Sequence, residues 1–345
     1  MPLRNVRIAP GFNKADTPSG AEGQWIDGDF VRFRYGQPEK IGGYTAIGQQ
    51  TISGPTRAQH TWTDLEGNRY AALGTSKALY IYYEDKFYDV TPLATALTGA
   101  DTAITGFTIT TTNGSNTVTV NKTSHALDVG EYITFTSVTL PGGGATGFTV
   151  ANFQDFTYEV LTAPNANSFT VQMKTNESGS GMTAAGSASI NPYEEIGPTI
   201  QTYGYGWGTG TWSRGTWGSG TTSSTVILDP GTWSLDNFGQ QLIATVKDGK
   251  TFVWNPGVSN PLEQRAVIMS GAPTASRLTI TSDRDRHVVH FGTETTIGDS
   301  TTQDPMFIRF SDQENYSVYQ PTSVNTAGTF RLDTGNKIVA AVSGK

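Results

Sequence analysis

The chain has 345 residues, of which 40 are glycine and only 15% are charged. No cysteine is present, which excludes a disulfide framework and thiolate metal sites. The formal net charge is −7 and lysine and arginine nowhere cluster, which excludes a protein whose task is to grip nucleic acid, since that needs cations to displace counterions from phosphate.

Apolar residues recur with a period of two almost everywhere, threonine is abundant, and no long stretch carries a helical stripe. The fold class read from this pattern is all-β. The opening Met1-Pro2-Leu3-Arg4-Asn5 lacks the apolar core of a secretion signal, and no segment reaches the length and apolarity of a membrane span. Neither secretion by the usual route nor membrane insertion is expected.

Residues 1–55 form a β-rich N-terminal segment. Alternation within it predicts a strand with Phe30, Arg32 and Arg34 on one face and Val31, Phe33 and Tyr35 on the other. The following Gly36-Gln37-Pro38-Glu39 is expected to break it. A blade-like phrase then begins, in which an apolar strand, a polar turn and a second apolar strand follow one another. Its first copy runs 59–62, turn 64–68, then 70–73 and Gly74-Thr75, with a third strand at 79–82 and an edge strand at 87–90; it falls within a blade assigned to 56–99.

From 100 to 190 the phrase stops. Short alternating strands at 107–111, 117–120, 132–136, 157–161 and 168–173 predict a small β-barrel or β-sandwich inserted between blades. Residues 191–345 return to blades and contain a glycine- and tryptophan-rich run, 203–220. Trp207, Trp212 and Trp217 lie so close together that they are expected to pack against another surface rather than stand in water. Copy two of the phrase is 232–235, turn 236–239, 241–246, then 251–254. Copy three is 277–281, turn 283–286, 287–291 and again Gly292-Thr293, then 306–310 with an edge strand at 316–319. Copy four starts at 337–342 and meets the end of the sequence at its turn. Propellers close with about four to eight such blades. Three blades and one further strand therefore read as an incomplete propeller, continued beyond Lys345 or closed by something else.

Candidate chemistry is sparse. Of the four histidines, His60, His125, His287 and His290, the last two are three apart on a strand and point to opposite faces, so they cannot chelate one ion. Asp27 and Asp29, and Asp283 and Asp285, could each form a carboxylate pair, but both sit in turns that aspartate caps through its own backbone. Glu194 and Glu195 are adjacent on an extended chain and face apart. No serine has an evident activating partner, and the glycine runs lack the Lys-Ser/Thr ending of a phosphate loop. No catalytic, cofactor-binding or metal-ligating residue is assigned, no cofactor is expected, and the reading is not an enzyme. Tyr80, Tyr82, Phe252, Trp254, Phe307 and Phe310 could stack sugars, but at alternate strand positions they read first as core between blades.

The phrase Gly28-Asp29-Phe30-Val31-Arg32-Phe33-Arg34 with Pro38-Glu39-Lys40-Ile41-Gly42-Gly43-Tyr44, the run 203–218, and Thr232-Trp233-Ser234-Leu235-Asp236-Asn237-Phe238-Gly239-Gln240-Gln241-Leu242-Ile243 resemble the tail nozzle proteins (tail hub or DNA-stabilising proteins) of short-tailed bacteriophages. The insertion 100–190 has no specific counterpart in that resemblance. What it implies is a virion structural protein assembled in the host cytoplasm: a homo-oligomeric, six-fold ring below the portal and adaptor. That ring would extend the DNA channel, retain packaged DNA and serve as ejection conduit, touching the adaptor, other tail proteins and passing genomic DNA without specific binding. Family members being longer, a continuation of copy four is expected. The subunit or adaptor interface is expected at Trp207, Trp212, Trp217, Trp25, Arg32 and Arg34. Two other readings stand beside this one: a propeller that binds host cell-surface glycan through the insertion, and a propeller glycosidase with two carboxylates facing across its channel.

Overall fold

The computed structural model describes residues 8–43, 45–46, 50–94, 97–100, 108–140, 148–154, 156–179, 183–199 and 229–343. The chain divides into two compact units, Met1–Gln49 and Gln50–Lys345. The protein is all-β, with a single short α-helix among the described residues.

In the first unit β1 (Ala9–Phe12) pairs in parallel with β2 (Gln24–Trp25), and β3 (Val31–Arg34) pairs antiparallel with β4 (Gln37–Lys40). The stretch read as a strand breaker is thus the second arm of a hairpin. Pro38 is tolerated because this two-stranded ribbon leaves β4 an edge strand, whose outward positions need no N–H. The expected alternation holds only over Val31–Arg34. Phe30 and Tyr35 leave the strand with left-handed backbones, φ 55° and 50°.

The second unit holds three four-stranded antiparallel meanders in sequence order. Blade 1 comprises β5 (Thr56–Thr63), β6 (Arg69–Thr75), β7 (Leu79–Tyr83) and β8 (Lys86–Asp89). The Asp64 carboxylate accepts from the Glu66 and Asn68 amides at 2.9 and 2.8 Å and closes the first turn as the sequence predicts. Between blades 1 and 2 comes one eight-stranded sheet. Its strands are β9 (Leu97–Ala100), β10 (Thr108–Thr110), β11 (Thr117–Asn121), β12 (Tyr132–Thr139), β13 (Thr157–Asn165), β14 (Ser168–Gln172), β15 (Thr183–Ala185) and β16 (Ser187–Pro192), in spatial order β15-β10-β11-β14-β13-β12-β16-β9. It curls over a single core that includes Ile133, Phe135, Phe169 and Val171, capped by Phe153 of the helix α1 (Val150–Gln154).

Blade 2 comprises β17 (Trp233–Phe238), β18 (Gln241–Val246), β19 (Thr251–Trp254) and β20 (Val267–Ile268); blade 3 comprises β21 (Leu278–Ser282), β22 (His287–Phe291), β23 (Phe307–Phe310) and β24 (Gly328–Arg331). First strands lie side by side, with β17 between β5 and β21. Blade 2 is covered on both faces, so its strands are apolar runs rather than alternating. Leu242, Ala244, Val246, Phe252 and Trp254 pack with Trp62, Tyr70, Leu79 and Ile81 of blade 1. On the other face Ile243 and Val253 pack with Val288 of blade 3, together with Phe238, Met269 and Tyr319.

Four details depart from the sequence reading. The turn of copy two is shorter than 236–239, because Asp236–Phe238 continue β17 and pair with Gln241–Ile243. The two Gly-Thr pairs are not equivalent: Gly74 is a strand residue lying under the Trp233 ring, whereas Gly292 follows β22 with φ 59°. The edge strand of blade 3 is Gly328–Arg331 rather than 316–319, because Tyr319 turns inward and is buried against His290. Finally, 337–342 forms no strand among the described residues. That segment lies over the first strands, lining a cavity of about 340 Å³ with Trp233, Leu278 and Ile280. Strand pattern alone is insufficient there: no ladder runs beside the segment, and Ile338 N–H donates instead to the Pro305 carbonyl at 3.0 Å.

Candidate assembly surfaces

The N-terminal unit is nearly coreless. Ala21 is its one fully buried residue among those described. Three rings hold it together: Phe33 meets Phe12 edge-on at 5.2 Å and Trp25 at 6.4 Å. Trp25 is therefore half-buried in this cluster. Arg32 donates to Glu39 across the hairpin at 3.2 and 3.3 Å, while Arg34 lies 5.4 Å from the Tyr35 ring centroid. Lys14 binds Asp27 at 2.7 Å, and that ammonium holds the Asp27 carboxyl below its usual range. Tyr35 is 92% exposed and Phe30 72%, and Ile26 and Ile41 are exposed as well. So small a core cannot offset the chain entropy of ordering such a segment by itself.

In the second unit the run 203–220 lies outside the described residues, and Trp207, Trp212 and Trp217 with it. Its described flanks are pinched together. Arg57, on β5, donates to the carbonyls of Pro198, Thr199 and Gly231. Gly231 also donates its amide to Pro198 O at 2.9 Å, and a Cβ on Gly231 would overlap the Ile196 carbonyl, so no other residue fits. Replacing Arg57 with methionine keeps the aliphatic stem but leaves these acceptors short of a donor. The expected cost is about 1–3 kcal/mol, read as a lower urea midpoint at unchanged m-value.

A second feature is a cavity of about 600 Å³ where the eight-stranded sheet meets the blades, lined by Lys77, Asp128, Val129, Glu131, Tyr132 and Tyr193 through Thr199. Lys77 bridges to Glu159 at 3.0 Å and lies 5.1 Å from the Tyr132 ring centroid; Lys250 binds Glu194 at 2.7 Å. Asp128, Glu131 and Glu195 make no ion pair among the described residues. Burial, with the neighbouring Asp128 and Glu195 charges, raises the Glu131 pKa above its ordinary value. Tyr193 forms the joint behind the cavity. Its hydroxyl donates to Asp89 and accepts from the Thr157 hydroxyl at 3.1 Å and from Arg265, whose guanidinium lies 4.9 Å from the ring centroid. Burial and the Asp89 charge push its phenol pKa up, so it stays a neutral donor.

The residues weighed for catalysis are dispersed. His60 pairs with Asn237 at 2.8 Å, His125 with the Asn165 carbonyl at 2.9 Å, and His287 with the Ser311 carbonyl at 2.8 Å. His290 points to the opposite face from His287, as its spacing predicts, and is wholly buried. Asp283 and Asp285 stand in an exposed turn. Among the described residues no three His, Asp or Glu side chains converge as a metal site. The features that sequence reading missed, Tyr35, Arg57 and the acidic cavity, carry no motif. Only the residue type at the hairpin turn, tyrosine where asparagine is the favoured choice, was visible as a signal.

No family model and no curated protein matches the chain. Among solved structures, the Phage phi92 endosialidase is similar at 12% identity and a TM-score of 0.24, over 88% of this chain. The chain spans 41% of that protein's length.

Proposed function

We propose that the chain is a structural protein of a phage tail, a subunit of a ring that extends the DNA channel as a nozzle. The observation that carries this reading is the N-terminal unit, which exposes Phe30, Tyr35, Ile26 and Ile41 around an almost absent core. Such an element is stable only when a neighbour covers it, and assembly supplies that neighbour. The N-terminal phrase and the glycine-tryptophan run that resemble tail nozzle proteins support the same reading. So does the acidic balance, which suits a wall past which DNA slides without adhering. In a cyclic ring each subunit offers two different patches to its two neighbours.

Cryo-electron microscopy of the particle tests this: density for the chain in a symmetric ring around the DNA channel is expected, and placement on a peripheral fibre would overturn the reading. A second test replaces Trp207, Trp212 and Trp217 with serine. Loss of the triple variant from particles is the expected result, and normal incorporation would remove these rings from the interface.

A further inference from the structure

Tyr35 and Gly36 form the two-residue turn between β3 and β4, both with positive φ, 50° and 78°. Asparagine and glycine are the residues that suit this backbone, and a tyrosine in the left-handed region is strained. Its own unit buries almost none of the ring in return for that strain, since the ring is 92% exposed. Beside it Arg34 makes no ion pair among the described residues and lies against the same ring. An aromatic ring and a guanidinium without an ion pair at the tip of a hairpin have the composition of an interface hot spot.

The same chain carries a surface of complementary chemistry. Residues 1–49 hold a formal charge of +1 and residues 50–345 hold −8. Within the latter, the cavity described above opens beside Val129, which is 64% exposed, and brings together Asp128, Glu131 and Glu195, none of which makes an ion pair among the described residues, while Lys77 of the same lining is taken up by Glu159. We infer that the Arg34-Tyr35 hairpin tip of one subunit docks into this acidic cavity on a second copy of the chain, with the ring against Val129 and the guanidinium among the carboxylates. The contact is heterologous, each copy giving a tip and receiving one, which is the arrangement that closes rings. This inference rests on the ring reading and specifies its contact.

The test uses the full chain and light scattering at about 100 μM, where a micromolar contact is largely filled. Wild type is expected to form a defined oligomer. Tyr35→Asn places the favoured residue in the turn and so keeps the hairpin, yet is expected to weaken association by about 30-fold or more. Because the chain has no cysteine, Tyr35→Cys with Val129→Cys gives an unambiguous second readout. Oxidation should yield a ladder of covalent oligomers that either single variant lacks. An oligomer that Tyr35→Asn leaves intact, or a double-cysteine variant that oxidises within one chain or not at all, overturns the contact while the ring reading stands. A wild-type chain that stays monomeric overturns both.

Discussion

Replacing Trp254 with alanine is expected to destabilise the blade unit by about 3–5 kcal/mol, the range for deleting a large buried aromatic. Trp254 is 1% exposed and meets Trp62 at 6.1 Å and Tyr70 at 5.4 Å, both edge-on, so its loss opens the core shared by blades 1 and 2. Its indole N–H also donates to the Pro261 carbonyl at 3.0 Å, and that acceptor is left without its donor. Trp254→Phe keeps most of the ring contacts and loses the hydrogen bond, so its cost should be smaller by at least half. Urea titrations of the two variants check the ranking; equal costs would show that the hydrogen bond, not the packing, dominates. Blade 2 is covered on both faces, and for that reason the effect should exceed that of any aromatic on an outer blade face.

Acid should weaken the same unit through His290. The side chain is wholly buried, with Nδ1 3.0 Å from the Ser276 hydroxyl and Nε2 3.0 Å from the Tyr319 hydroxyl. Burial chiefly, and then the nearby Arg309 guanidinium, lowers its pKa from 6.5 to about 3. Arg309 is itself anchored to backbone carbonyls, including that of Thr295 at 2.8 Å, and cannot move away from a second cation. The folded protein therefore holds His290 neutral where the unfolded chain takes up a proton. Its contribution is complete above pH 6.5 and is lost as the pH falls from there toward about 3, at about 1.4 kcal/mol per pH unit. His290→Gln removes that proton from the balance. The variant is expected to be less stable than wild type at pH 7, by about 1–3 kcal/mol, for its disturbed hydrogen bonds. Between pH 7 and 4.5 it should then lose about 2–3 kcal/mol less than wild type. Parallel stability curves over that range would show that His290 is not the group that titrates.

Legibility followed the range of the interactions involved. The meander of blade 1 could be read directly because each step is local: Gln59–Trp62 and Tyr70–Leu73 alternate, and Asp64 closes the turn between them with its own carboxylate. The same holds for β18 and β19, whose bounds follow the apolar run and the Asp248-Gly249 turn. Where a strand depends on a partner, pattern misled. Residues 337–342 are an apolar run like β18 but have no ladder beside them, whereas Gln37–Lys40 holds a proline and still pairs, because Val31–Arg34 lies opposite.

The candidate surfaces divide the same way. By itself the sequence determined the all-β class and the strand-turn-strand rhythm of the three meanders, whereas the eight-stranded sheet takes in Leu97–Ala100 and runs on to Pro192, past both ends of the expected insertion 100–190. Alternation and turn chemistry are written within a few residues of one another, and so survive without the fold. Only the tertiary structure decided that His290 is buried and neutral, and that Arg57 gathers carbonyls from Pro198 to Gly231. It alone placed Asp128 and Glu195 around one cavity, and left Trp25 in a ring cluster with Tyr35 in the open. Each of these joins residues far apart in the chain, and burial, dielectric and hydrogen-bond geometry come into existence only when folding brings such residues together.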